Sequence, residues 1–597
     1  MRNSKTNCKR VAIRICQKHI SGGIKLKKEN NRSLRKLLKY SKKYLKYQKT
    51  PLILTPLLLL VSILSPFLIK YLIDDIIGNH EFSQILPFVI LFTIVILSER
   101  LISFIVNYGY YKSTNLAARD EQIYMFKKIL TIPIKEFSYN KIGDFMSRVL
   151  SDTLEVSFFL GAGISVITYN IIQLIVVSLV LLYLNWQLAV ITFIMVPFYY
   201  FSLRAFDKNL QKSSELERIA YSDLTEELRE KIEGLMPIKS FCKENFFSKQ
   251  FSYISWIWVK KKNRLNMLNQ SAEDFMSFIY ELIPVLILGY GAYLILKGNA
   301  TLGTLMGFYA YLGWIFTPIR NLSSFYIQMQ RVRQVSERIF EIHDFPEENM
   351  REGKSFPNND YPITYENVCF KYKDSTVLHD INLTIGTKEK VAIVGTSGAG
   401  KSSFVNLIPR FYEPATGKVM INGIDVKKYN LKQLRKNITI VRQDDYLFNM
   451  TVKENIMLDD EFTQEEFMKA VKKAKVDKFI GLLDEGYDTV VGERGSKLSD
   501  GQRQRVAIAR ALIREPKVLI LDEATSGVDS QTEEEIFDEL KEYEMTLIII
   551  SHRLSTIRKA DKVILLKDGE IRGEGMHEEL LKNAPIYKEI IESQLVV

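Results

Sequence analysis

The stretch VAIVGTSGAGKSS, residues 391–403, decides the fold of the second half of the chain. Its apolar start predicts a buried β-strand, and the loop that follows (the P-loop) matches the pattern GxxxxGK(S/T) ahead of a helical segment. In this pattern the backbone N–H groups surround phosphate groups, Lys401 reaches the β- and γ-phosphate oxygens, and the hydroxyl of Ser402 binds Mg²⁺. The stretch therefore predicts an α/β domain with a nucleotide site. The residues expected to bind the nucleotide here are Gly395, Ser397, Gly398, Gly400, Lys401, Ser402 and Ser403.

Two further apolar runs end in residues that suit nucleotide hydrolysis. Residues 518–521 (VLIL) precede Asp522 and Glu523, and residues 547–550 (LIII) precede a serine and His552. Strands that are apolar throughout are typical of buried parallel sheets, whose ligands bind at the carboxyl ends of the strands. We therefore expect Asp522 to hold a metal through water and Glu523 to orient or deprotonate the attacking water. The alternatives are surface carboxylates at the end of a buried strand and a structural histidine.

A third motif lies between the P-loop and the acidic strand. Residues 498–505 read LSDGQRQR and open a predicted helix, and Gln443 precedes an acidic and apolar stretch, DDYLF. With these motifs the domain strongly resembles the nucleotide-binding domain of ABC transporters, which implies an α/β P-loop fold with a helical subdomain. Together with the six membrane spans described below, the chain resembles an ABC exporter half-transporter. The resemblance extends over nearly all of the chain from residue 33 onward.

The resemblance implies further roles in the nucleotide site. Tyr372 would stack on adenine, and Gln443 would touch Mg²⁺ and sense the membrane domain. His552 would be the switch histidine, which contacts the γ-phosphate, and it would catalyse ATP hydrolysis together with Glu523. Asp529 would belong to the loop that joins two nucleotide sites. The implied cofactors are ATP and Mg²⁺. The implied metal-binding residues are Ser402, Gln443 and Asp522.

The resemblance also implies a dimer. In the family, ATP is closed between the P-loop of one domain and the signature motif of a second, and this chain contains one of each. The segment 492–495 (GERG) resembles the part of exporters that faces the coupling helices, and 143–152 (GDFMSRVLSD) is similar to their first intracellular loop. The expected signature residues are Ser499, Asp500, Gly501 and Gln502.

One signature residue departs from the family pattern. The usual motif is LSGGQ, and Asp500 replaces its first glycine. A carboxylate near the γ-phosphate of the partner's ATP would repel it, which would suit one half of a heterodimer with unequal sites. Alternatively, Asp500 points away from the nucleotide and serves as a helix N-cap. The presence of Lys401, Glu523 and His552 favours a hydrolytically active site.

The first half of the chain is predicted to be an all-α membrane domain with six helices. With 47% hydrophobic residues the chain is neither disordered nor fibrous. The long loops between spans two and three and between spans four and five are rich in Lys and Arg, so both termini are expected in the cytoplasm. The protein is therefore expected in the cytoplasmic membrane. Each predicted span exceeds the roughly 18 apolar residues that cross a hydrocarbon core, and the six are 51–77, 85–108, 156–184, 186–203, 275–296 and 302–327.

The N-terminal segment is strongly basic. Its first 49 residues hold 17 Lys and Arg against a single acid, Glu29, and have no apolar run of signal-peptide length. This charge suits anionic lipid headgroups or retention of the N-terminus inside, with nucleic-acid binding as the alternative. The segment is too short to house a peptidase domain. The predicted domains are a basic N-terminus with an elbow helix (1–50), a transmembrane domain (51–343), a linker (344–362) and the nucleotide-binding domain (363–597).

The four cysteines show no sign of shared chemistry. They lie far apart, in no CxxC pair and with no histidine at metal-ligand spacing. They are therefore interpreted as incidental thiols rather than as a redox or zinc site. The four are Cys8, Cys16, Cys242 and Cys369.

Four ionisable residues lie inside the predicted spans, toward the inner leaflet: Glu99, Arg100, Glu281 and Arg320. Charges at such positions are costly and are usually functional. They are candidates for an inward-facing cavity that takes an amphipathic or charged substrate. The alternative is that they pair with one another or lie just beyond the membrane.

The sequence thus predicts ATP-driven export of an amphipathic substrate, a small peptide, drug or lipid, by a dimer of half-transporters, with a homodimer favoured. The alternatives are one half of a heterodimer and an ATP-gated channel or regulatory half. Glu523 argues against the channel. A soluble P-loop ATPase of the DNA-repair kind is excluded by the membrane spans. No nucleic-acid partner is expected.

Overall fold

The computed structural model describes residue 36 and residues 39–139, 142–373, 375–458 and 460–595. These residues form two compact units. The first contains the described residues up to Ile129 together with Gly143–Asp344. The second contains Leu130–Ile142 and the described residues from Phe345 onward.

The short segment Leu130–Ile142 is grouped with the second unit, although it lies within the 51–343 predicted for the membrane domain. Two contacts hold its start there. The backbone N–H of Glu348 donates to the carbonyl oxygen of Thr131 (2.8 Å), and the Glu348 carboxylate pairs with Arg435 (2.6 Å). The division between the units is therefore discontinuous in sequence.

The first unit is built from helices, the element that satisfies its own backbone hydrogen bonds in lipid. A 3₁₀-helix, Lys42–Gln48, precedes the first long helix where the elbow helix was predicted; most of residues 1–38, including Cys8 and Cys16, lies outside the described part. In chain order the α-helices up to residue 344 are α1 (Lys49–Tyr71), α2 (Ile85–Leu130), α3 (Ile134–Tyr139), α4 (Ile142–Ser147), α5 (Thr153–Phe158), α6 (Ile164–Leu184), α7 (Trp186–Glu233), α8 (Leu235–Ser240), α9 (Glu244–Leu296) and α10 (Leu302–Asp344), with α3 belonging to the second unit.

Five helical segments of the described chain are long and apolar enough to cross a membrane, and they contain five of the six predicted spans. The fourth predicted span falls on α7, whose described apolar part, Trp186–Phe198, is shorter. Only 11% of the apolar window on α2 is buried, against 61% of that on α10. Most of the apolar surface of α2 therefore faces outward, as expected of a helix in lipid, whereas α10 lies in the centre of the unit. The five segments are Lys39–Ile77, Phe82–Leu130, Ile142–Leu184, Glu244–Leu296 and Leu302–Asp344.

A single residue makes the tight connection predicted between the third and fourth spans. Asn185 leaves the helical conformation (φ −163°, ψ 111°), and its side-chain oxygen accepts hydrogen bonds from the backbone N–H groups of Gln187 (3.0 Å) and Leu188 (3.1 Å). This is an N-cap of α7. The buried side chains beside it, such as Leu181 and Leu188, join those of α9 and α10 in the apolar core of the unit.

The predicted loop motif 143–152 is held to the end of α10 by ion pairs. Arg338 binds Asp144 (2.8 Å) and Asp152 (3.0 Å), and Arg148 binds Glu341 (2.8 Å). A network of this kind fixes geometry better than isolated surface pairs, because several charges share partners. The motif therefore ties α4 and the helical turns after it to the end of α10.

A buried carboxylate holds the N-terminal segment against the same region. Glu121 on α2 is 1% exposed, and its carboxylate accepts hydrogen bonds from the hydroxyls of Tyr40 (2.6 Å) and Tyr44 (3.1 Å). Nε2 of His343, near the end of α10, lies 2.8 Å from the same carboxylate. The segment before α1 is thus anchored to α2 and α10.

The second unit contains two sheets. Its strands are β1 (Ile363–Tyr372), β2 (Ser375–Ile385), β3 (Lys390–Val394), β4 (Thr416–Ile421), β5 (Ile424–Asp425), β6 (Ile438–Arg442), β7 (Val518–Asp522), β8 (Thr546–Ile550), β9 (Lys562–Lys567) and β10 (Glu570–Gly575). Its further helices are α11 (Lys401–Asn406), α12 (Leu431–Asn437), α13 (Val452–Met457), α14 (Gln464–Lys473), α15 (Asp477–Ile480), α16 (Asp500–Leu512), α17 (Ser530–Lys541), α18 (Leu554–Arg558), α19 (His577–Asn583) and α20 (Pro585–Leu595).

The larger sheet has the order β10-β9-β3-β8-β7-β6, and its strands from β9 to β6 are parallel. The three strands predicted from apolar runs are therefore neighbours in its centre. All residues of β3 and β8 are buried. The smaller sheet, β2-β1-β4-β5, is antiparallel. Helices α13 to α16, with buried apolar side chains, match the expected helical subdomain.

The C-terminal helices contain a buried histidine. His577, at the start of α19, is buried, and its Nδ1 lies 2.7 Å from the hydroxyl of Tyr587 on α20. Burial, and secondarily the positive charge of Arg558, lowers the pKa of His577 below its ordinary value of 6.5. The folded chain therefore disfavours the protonated imidazole.

The lowered pKa of His577 predicts how the stability of the folded chain depends on pH. His577 has a lower pKa in the folded chain than in the unfolded chain, so protonation of this histidine favours unfolding. Its contribution to the stability of the fold is therefore complete above pH 6.5 and is lost as the pH falls through the folded-state pKa. The apparent thermal midpoint of the purified full chain should fall less between about pH 7.5 and about pH 5.5 in His577→Gln than in the wild type. The exposed His379 gives the control, since His379→Gln should behave like the wild type. Equal pH dependence in all three proteins would refute the assignment.

Candidate functional site

The order of the central strands brings the predicted nucleotide residues to one edge of the larger sheet. The P-loop follows β3, His552 follows β8, Asp522 and Glu523 end β7, and Gln443 follows β6. The pairing register places the ends of these strands side by side: Ile393 opposes Ile550, and Ile550 opposes Asp522. Residues distant in sequence therefore meet at the carboxyl edge of the sheet, where parallel sheets bind ligands.

The P-loop has the backbone that its glycines permit. Gly398 and Gly400 have φ values of +80° and +97°, a region that residues with a Cβ rarely adopt. Gly400 also caps the start of α11, so the loop leads directly to a helix N-terminus. Such a terminus favours an anion through its unpaired N–H groups and the helix dipole. Ser397 lies exposed in the same loop.

Lys401 is buried against its own loop. Its Nζ donates to the carbonyl oxygens of Gly395 (2.8 Å) and Thr396 (3.1 Å). Burial lowers the pKa of Lys401, while the nearby carboxylates of Glu523 and Asp522 act in the opposite direction. The ammonium group is thus held within the loop that would surround a phosphate.

An oxygen-rich pair suitable for a hard cation lies beside the loop. The hydroxyl of Ser402 donates to Oδ1 of Asp522 (3.1 Å). Burial raises the pKa of Asp522, and the hydrogen bond from Ser402 lowers it. No group of three or more His, Cys, Asp or Glu side chains suited to a metal occurs in the described part of the chain. The Ser402 hydroxyl and the Asp522 carboxylate suit Mg²⁺, which takes one or two carboxylates together with phosphate oxygens and water.

The exposed Gln443 stands next to this pair, because the preceding residue, Arg442, opposes Asp522 in the β6–β7 register. Its amide oxygen is a further ligand type that Mg²⁺ accepts. The predicted metal set of Ser402, Gln443 and Asp522 therefore lies on neighbouring elements.

The catalytic pair predicted from the sequence is in contact. Nε2 of His552 lies 3.3 Å from Oε1 of Glu523. Glu523 has φ +52°, and its backbone N–H donates to the carbonyl oxygen of Ile550 (3.0 Å). A non-glycine residue in this conformation costs about 1 kcal/mol or more, and such strain is common at functional sites. The contact orients the Glu523 carboxylate toward the switch histidine.

Tyr372 belongs to an aromatic cluster near the start of α11. Its ring meets those of Phe370 (4.7 Å between centroids) and Tyr412 (5.2 Å) edge-on. The hydroxyl of Ser403 donates to the Tyr372 hydroxyl (3.4 Å). The cluster fixes the orientation of the ring that is expected to stack on adenine.

The signature motif begins a helix with a complete capping box. The hydroxyl of Ser499 accepts from the backbone N–H of Gln502 (3.3 Å), and the Gln502 side chain accepts from the N–H of Ser499 (2.9 Å). Ser499 is therefore the N-cap of α16, and Asp500 is the first residue of the helix. The alternative that Asp500 is the N-cap is wrong, because the preceding hydroxyl already fills that role.

The Asp500 carboxylate is paired instead. It accepts a hydrogen bond from Arg503, one turn along α16, and its side chain is 75% exposed. Such an exposed pair contributes less than about 1 kcal/mol to stability. It does place a positive charge next to the carboxylate that replaces the usual glycine.

The signature motif and the P-loop of this chain do not contact each other through hydrogen bonds or ion pairs of the described residues. Gly501 packs instead on the loop that contains Asp529: a Cβ there would lie 2.5 Å from the carbonyl oxygen of Gly527. The Asp529 carboxylate accepts from the N–H of Thr532 (2.9 Å) and caps α17. This N–H lowers the pKa of Asp529.

Two residues that the sequence analysis did not single out connect these loops. The buried Gln504 donates to the carbonyl oxygen of Gln443 (3.3 Å) and to Ser526 (3.1 Å), and accepts from the N–H of Gly527 (2.9 Å). Gln504 is part of LSDGQRQR, but nothing in the motif itself indicates which glutamine is buried. The signature helix is thereby bound to the Gln443 loop and to the Asp529 loop.

Arg553 makes the second connection. It follows His552 directly, and its guanidinium donates to the carbonyl oxygens of Ser526 (3.2 Å) and Val528 (2.8 Å). It also pairs with the buried Glu533. The Asp529 loop is therefore fixed to the segment that carries the switch histidine.

In the first unit, the four ionisable residues Glu99, Arg100, Glu281 and Arg320 form no ion pair with one another or with other described residues. Arg320 lines a cavity between α9 and α10, whereas Glu99, Arg100 and Glu281 do not line it. The predicted segment 492–495 forms a 3₁₀ turn, Glu493–Gly495, before the signature motif.

The free cysteines of the described residues, Cys242 and Cys369, lie in different units and form no disulfide.

Comparisons with known proteins cover both units. Residues 52–319 match the family described as ABC transporter transmembrane region, and residues 378–526 match the family described as ABC transporter. A protein of Staphylococcus aureus named as a multidrug export ATP-binding/permease protein is 32% identical over 550 residues, covering 89% of this chain and 95% of that protein. The ATP-dependent lipid A-core flippase of Syntrophus aciditrophicus is 34% identical over 475 residues, 79% of each chain.

A solved structure resembles most of the chain. It is that of a bacterial Atm1-family ABC exporter with ATP bound, with a TM-score of 0.79 and 27% sequence identity. The match covers 93% of this chain and 98% of that one.

The role of Gln504 can be measured. Gln504→Ala removes the hydrogen bonds of the buried Gln504 amide to Gln443, Ser526 and Gly527, each of which contributes about 0.5–1.5 kcal/mol. If the tie aligns the signature and Gln443 loops for hydrolysis, turnover of ATP should fall about tenfold while binding of a fluorescent ATP analogue is retained. The exposed Gln464 is the matched control, and Gln464→Ala should leave turnover unchanged. A loss of binding and turnover together would instead indicate a general loss of structure.

Proposed function

Because the chain belongs to the ABC transporter family, as an ATP-hydrolysing exporter of the multidrug or lipid type, we propose that two identical copies form the working transporter. Each copy would contribute one P-loop and one signature motif to two equal ATP sites. The substrate would be an amphipathic small molecule, peptide or lipid. The transporter would lie in the cytoplasmic membrane with both termini in the cytoplasm, as the basic loops 2–3 and 4–5 favour.

One observation carries the dimer proposal: the chain holds both halves of an ATP site without joining them. The P-loop lies at the edge of the larger sheet, whereas Ser499 and Gly501 start α16 and pack on the Gly527 loop. The start of α16 is exposed at Asp500, and its N–H groups suit an anion. A second copy therefore supplies the missing half for each P-loop.

The site residues suggest how ATP is hydrolysed. The P-loop N–H groups and Lys401 would hold the phosphates, and Tyr372 would stack on the base. Glu523 would orient or deprotonate the attacking water, and His552, in contact with Glu523, would bind the γ-phosphate.

Ser402, Gln443 and Asp522 would hold Mg²⁺, and the bound ion would neutralise charge on the β- and γ-phosphates. Their oxygen donors and the hydrogen bond from Ser402 to Asp522 support this assignment.

The shared site can be tested with two inactive variants. Lys401→Ala disables the P-loop and Ser499→Arg blocks the signature motif, so each homodimer should lack ATP turnover. A mixed dimer, isolated through two different affinity tags, has one composite site in which both halves are intact. Its turnover in lipid nanodiscs should exceed that of either parent by about tenfold or more. Glu523→Gln, which should bind but not hydrolyse ATP, gives the baseline.

Two other outcomes would contradict a homodimer with shared ATP sites. Mixed dimers no better than their parents, with an active wild type, would show that two copies do not share a site. A wild-type chain that binds ATP but does not turn it over would favour a heterodimer with a different half, the alternative that Asp500 suggests.

The Asp500–Arg503 pair predicts a specific ATP dependence. If Arg503 neutralises the carboxylate near the partner's ATP, Arg503→Ala should raise the KM for ATP by about two- to fivefold. The double variant Asp500→Gly/Arg503→Ala should return it to the wild-type value. Lys388, in the exposed pair with Glu544, offers the control, since Lys388→Ala should leave the KM unaltered. A double variant as impaired as Arg503→Ala would show that Arg503 acts through other contacts.

A further inference from the structure

A cavity of about 550 Å³ lies between α9 and α10 in the first unit. This volume suits a small organic ligand. Residues three or four positions apart share one face of a helix, so each wall is a single helical face. The lining residues are Glu273, Met276, Ser277 and Tyr280 on α9 and Phe316, Thr317 and Arg320 on α10.

The cavity holds one acidic and one basic side chain on opposite helices. Glu273 and Arg320 are both exposed, and neither forms an ion pair or hydrogen bond with another described residue. Two other carboxylates of this unit do have partners, Glu121 in two tyrosine hydroxyls and Asp152 in Arg338. Glu273 and Arg320 are therefore available to groups of opposite charge on a ligand.

The region between these charges is apolar and aromatic. Phe316 is 4% exposed and packs edge-on against Tyr280, with 6.0 Å between the ring centroids. Met276 adds a flexible apolar side chain that adapts to different shapes. The hydroxyl of Thr317 donates to the carbonyl oxygen of Gly313 (2.7 Å), which leaves its oxygen as an acceptor. The wall suits an apolar or aromatic ligand body with polar ends.

We propose that this cavity binds a short zwitterionic peptide with an apolar or aromatic body. Its amine would face Glu273 and its carboxylate would face Arg320, with the body against Tyr280 and Phe316. The proposal rests on the proposed function and names the class of substrate for it. A zwitterionic lipid would place its acyl chains in the bilayer and make no use of the aromatic wall, so the peptide is favoured.

The position of the cavity suits uptake from the cytoplasm. Glu273 directly precedes the fifth predicted span, 275–296, and Arg320 lies toward the inner end of the sixth, 302–327. In the proposed orientation both charges lie at the level of the inner leaflet. Placing charged groups at this depth costs free energy, and a ligand with groups of opposite charge reduces that cost.

The test compares three forms of one peptide. The peptide is radiolabelled Phe-Leu-Phe. With free termini it carries both charges. Its N-acetylated form carries only the negative charge, and its C-amidated form carries only the positive charge. Binding is measured without ATP to the full-length wild type in phosphatidylglycerol nanodiscs. We expect the free peptide to bind about tenfold more tightly than either blocked form.

Two variants make the assignment specific. Glu273→Gln should weaken binding of the free and amidated peptides about tenfold and spare the acetylated one. Arg320→Gln should weaken binding of the free and acetylated peptides about tenfold and spare the amidated one. Asp274→Asn is the matched control, since this neighbouring carboxylate bonds Gln270 and does not line the cavity. The reciprocal selectivity distinguishes a charge contact from misfolding, which would weaken all three peptides equally.

Equal binding of the three peptides, or an equal loss with each variant, overturns the proposal. Absence of peptide binding combined with faster ATP turnover when phosphatidylethanolamine is added would assign the cavity to a lipid headgroup and also overturn it. ATP turnover by the wild type, measured separately, tests the proposed function. Failure of export-linked hydrolysis is thereby distinguished from failure of the peptide assignment.

Discussion

The parallel pairing of four neighbouring strands, β3, β8, β7 and β6, is the constraint on which the nucleotide site depends. These strands are largely apolar because both faces of the sheet are covered, one by α14, α16 and α17 and the other by α11 and the smaller sheet. The residues that would act on a phosphate lie at or just beyond their carboxyl ends. Their register sets Asp522 beside Ile550 and Arg442 beside Asp522. Every residue that would act on a phosphate is thereby delivered to one edge, and none needs a long mobile loop to reach it.

The loops that leave this edge are tied to one another as firmly as the strands are. Gln504 joins the signature helix to the Gln443 loop, and Arg553 joins the switch segment to the loop before Asp529. These ties use the buried Gln504, the partly exposed Arg553 and backbone groups, so a movement of one loop would disturb its neighbours. The start of the signature helix packs on the Gly527 loop at Gly501.

The membrane unit combines apolar packing with specific polar contacts. The motif 143–152 is held to α10 by Arg338 and Arg148, and Glu121 anchors the segment before α1. Within the spans the packing is mainly apolar and centred on α10, and hydrogen bonds such as that from Asn321 to Asn170 (3.0 Å) join neighbouring helices. Glu273 and Arg320, in contrast, form no ion pair with described residues and line one cavity. Their separation by an aromatic wall gives the cavity a chemical polarity.

Local patterns in the sequence determined the two-part architecture, the P-loop, the acidic end of β7, the switch histidine and the hairpin at Asn185. Each depends on residues that are contiguous or on a period set by the backbone itself, so neighbours in sequence suffice to predict it. The identity of the N-cap at Ser499 is also a local matter, but two adjacent capping residues compete there and only the helix start decides between them. Only the tertiary structure decided the remaining features: the ties of Gln504 and Arg553, the discontinuous boundary at Leu130–Ile142 and the placement of Glu273 and Arg320 on opposite walls of one cavity. These join residues far apart in the chain, and their contacts exist because packing brings the elements together, which no spacing along the sequence encodes.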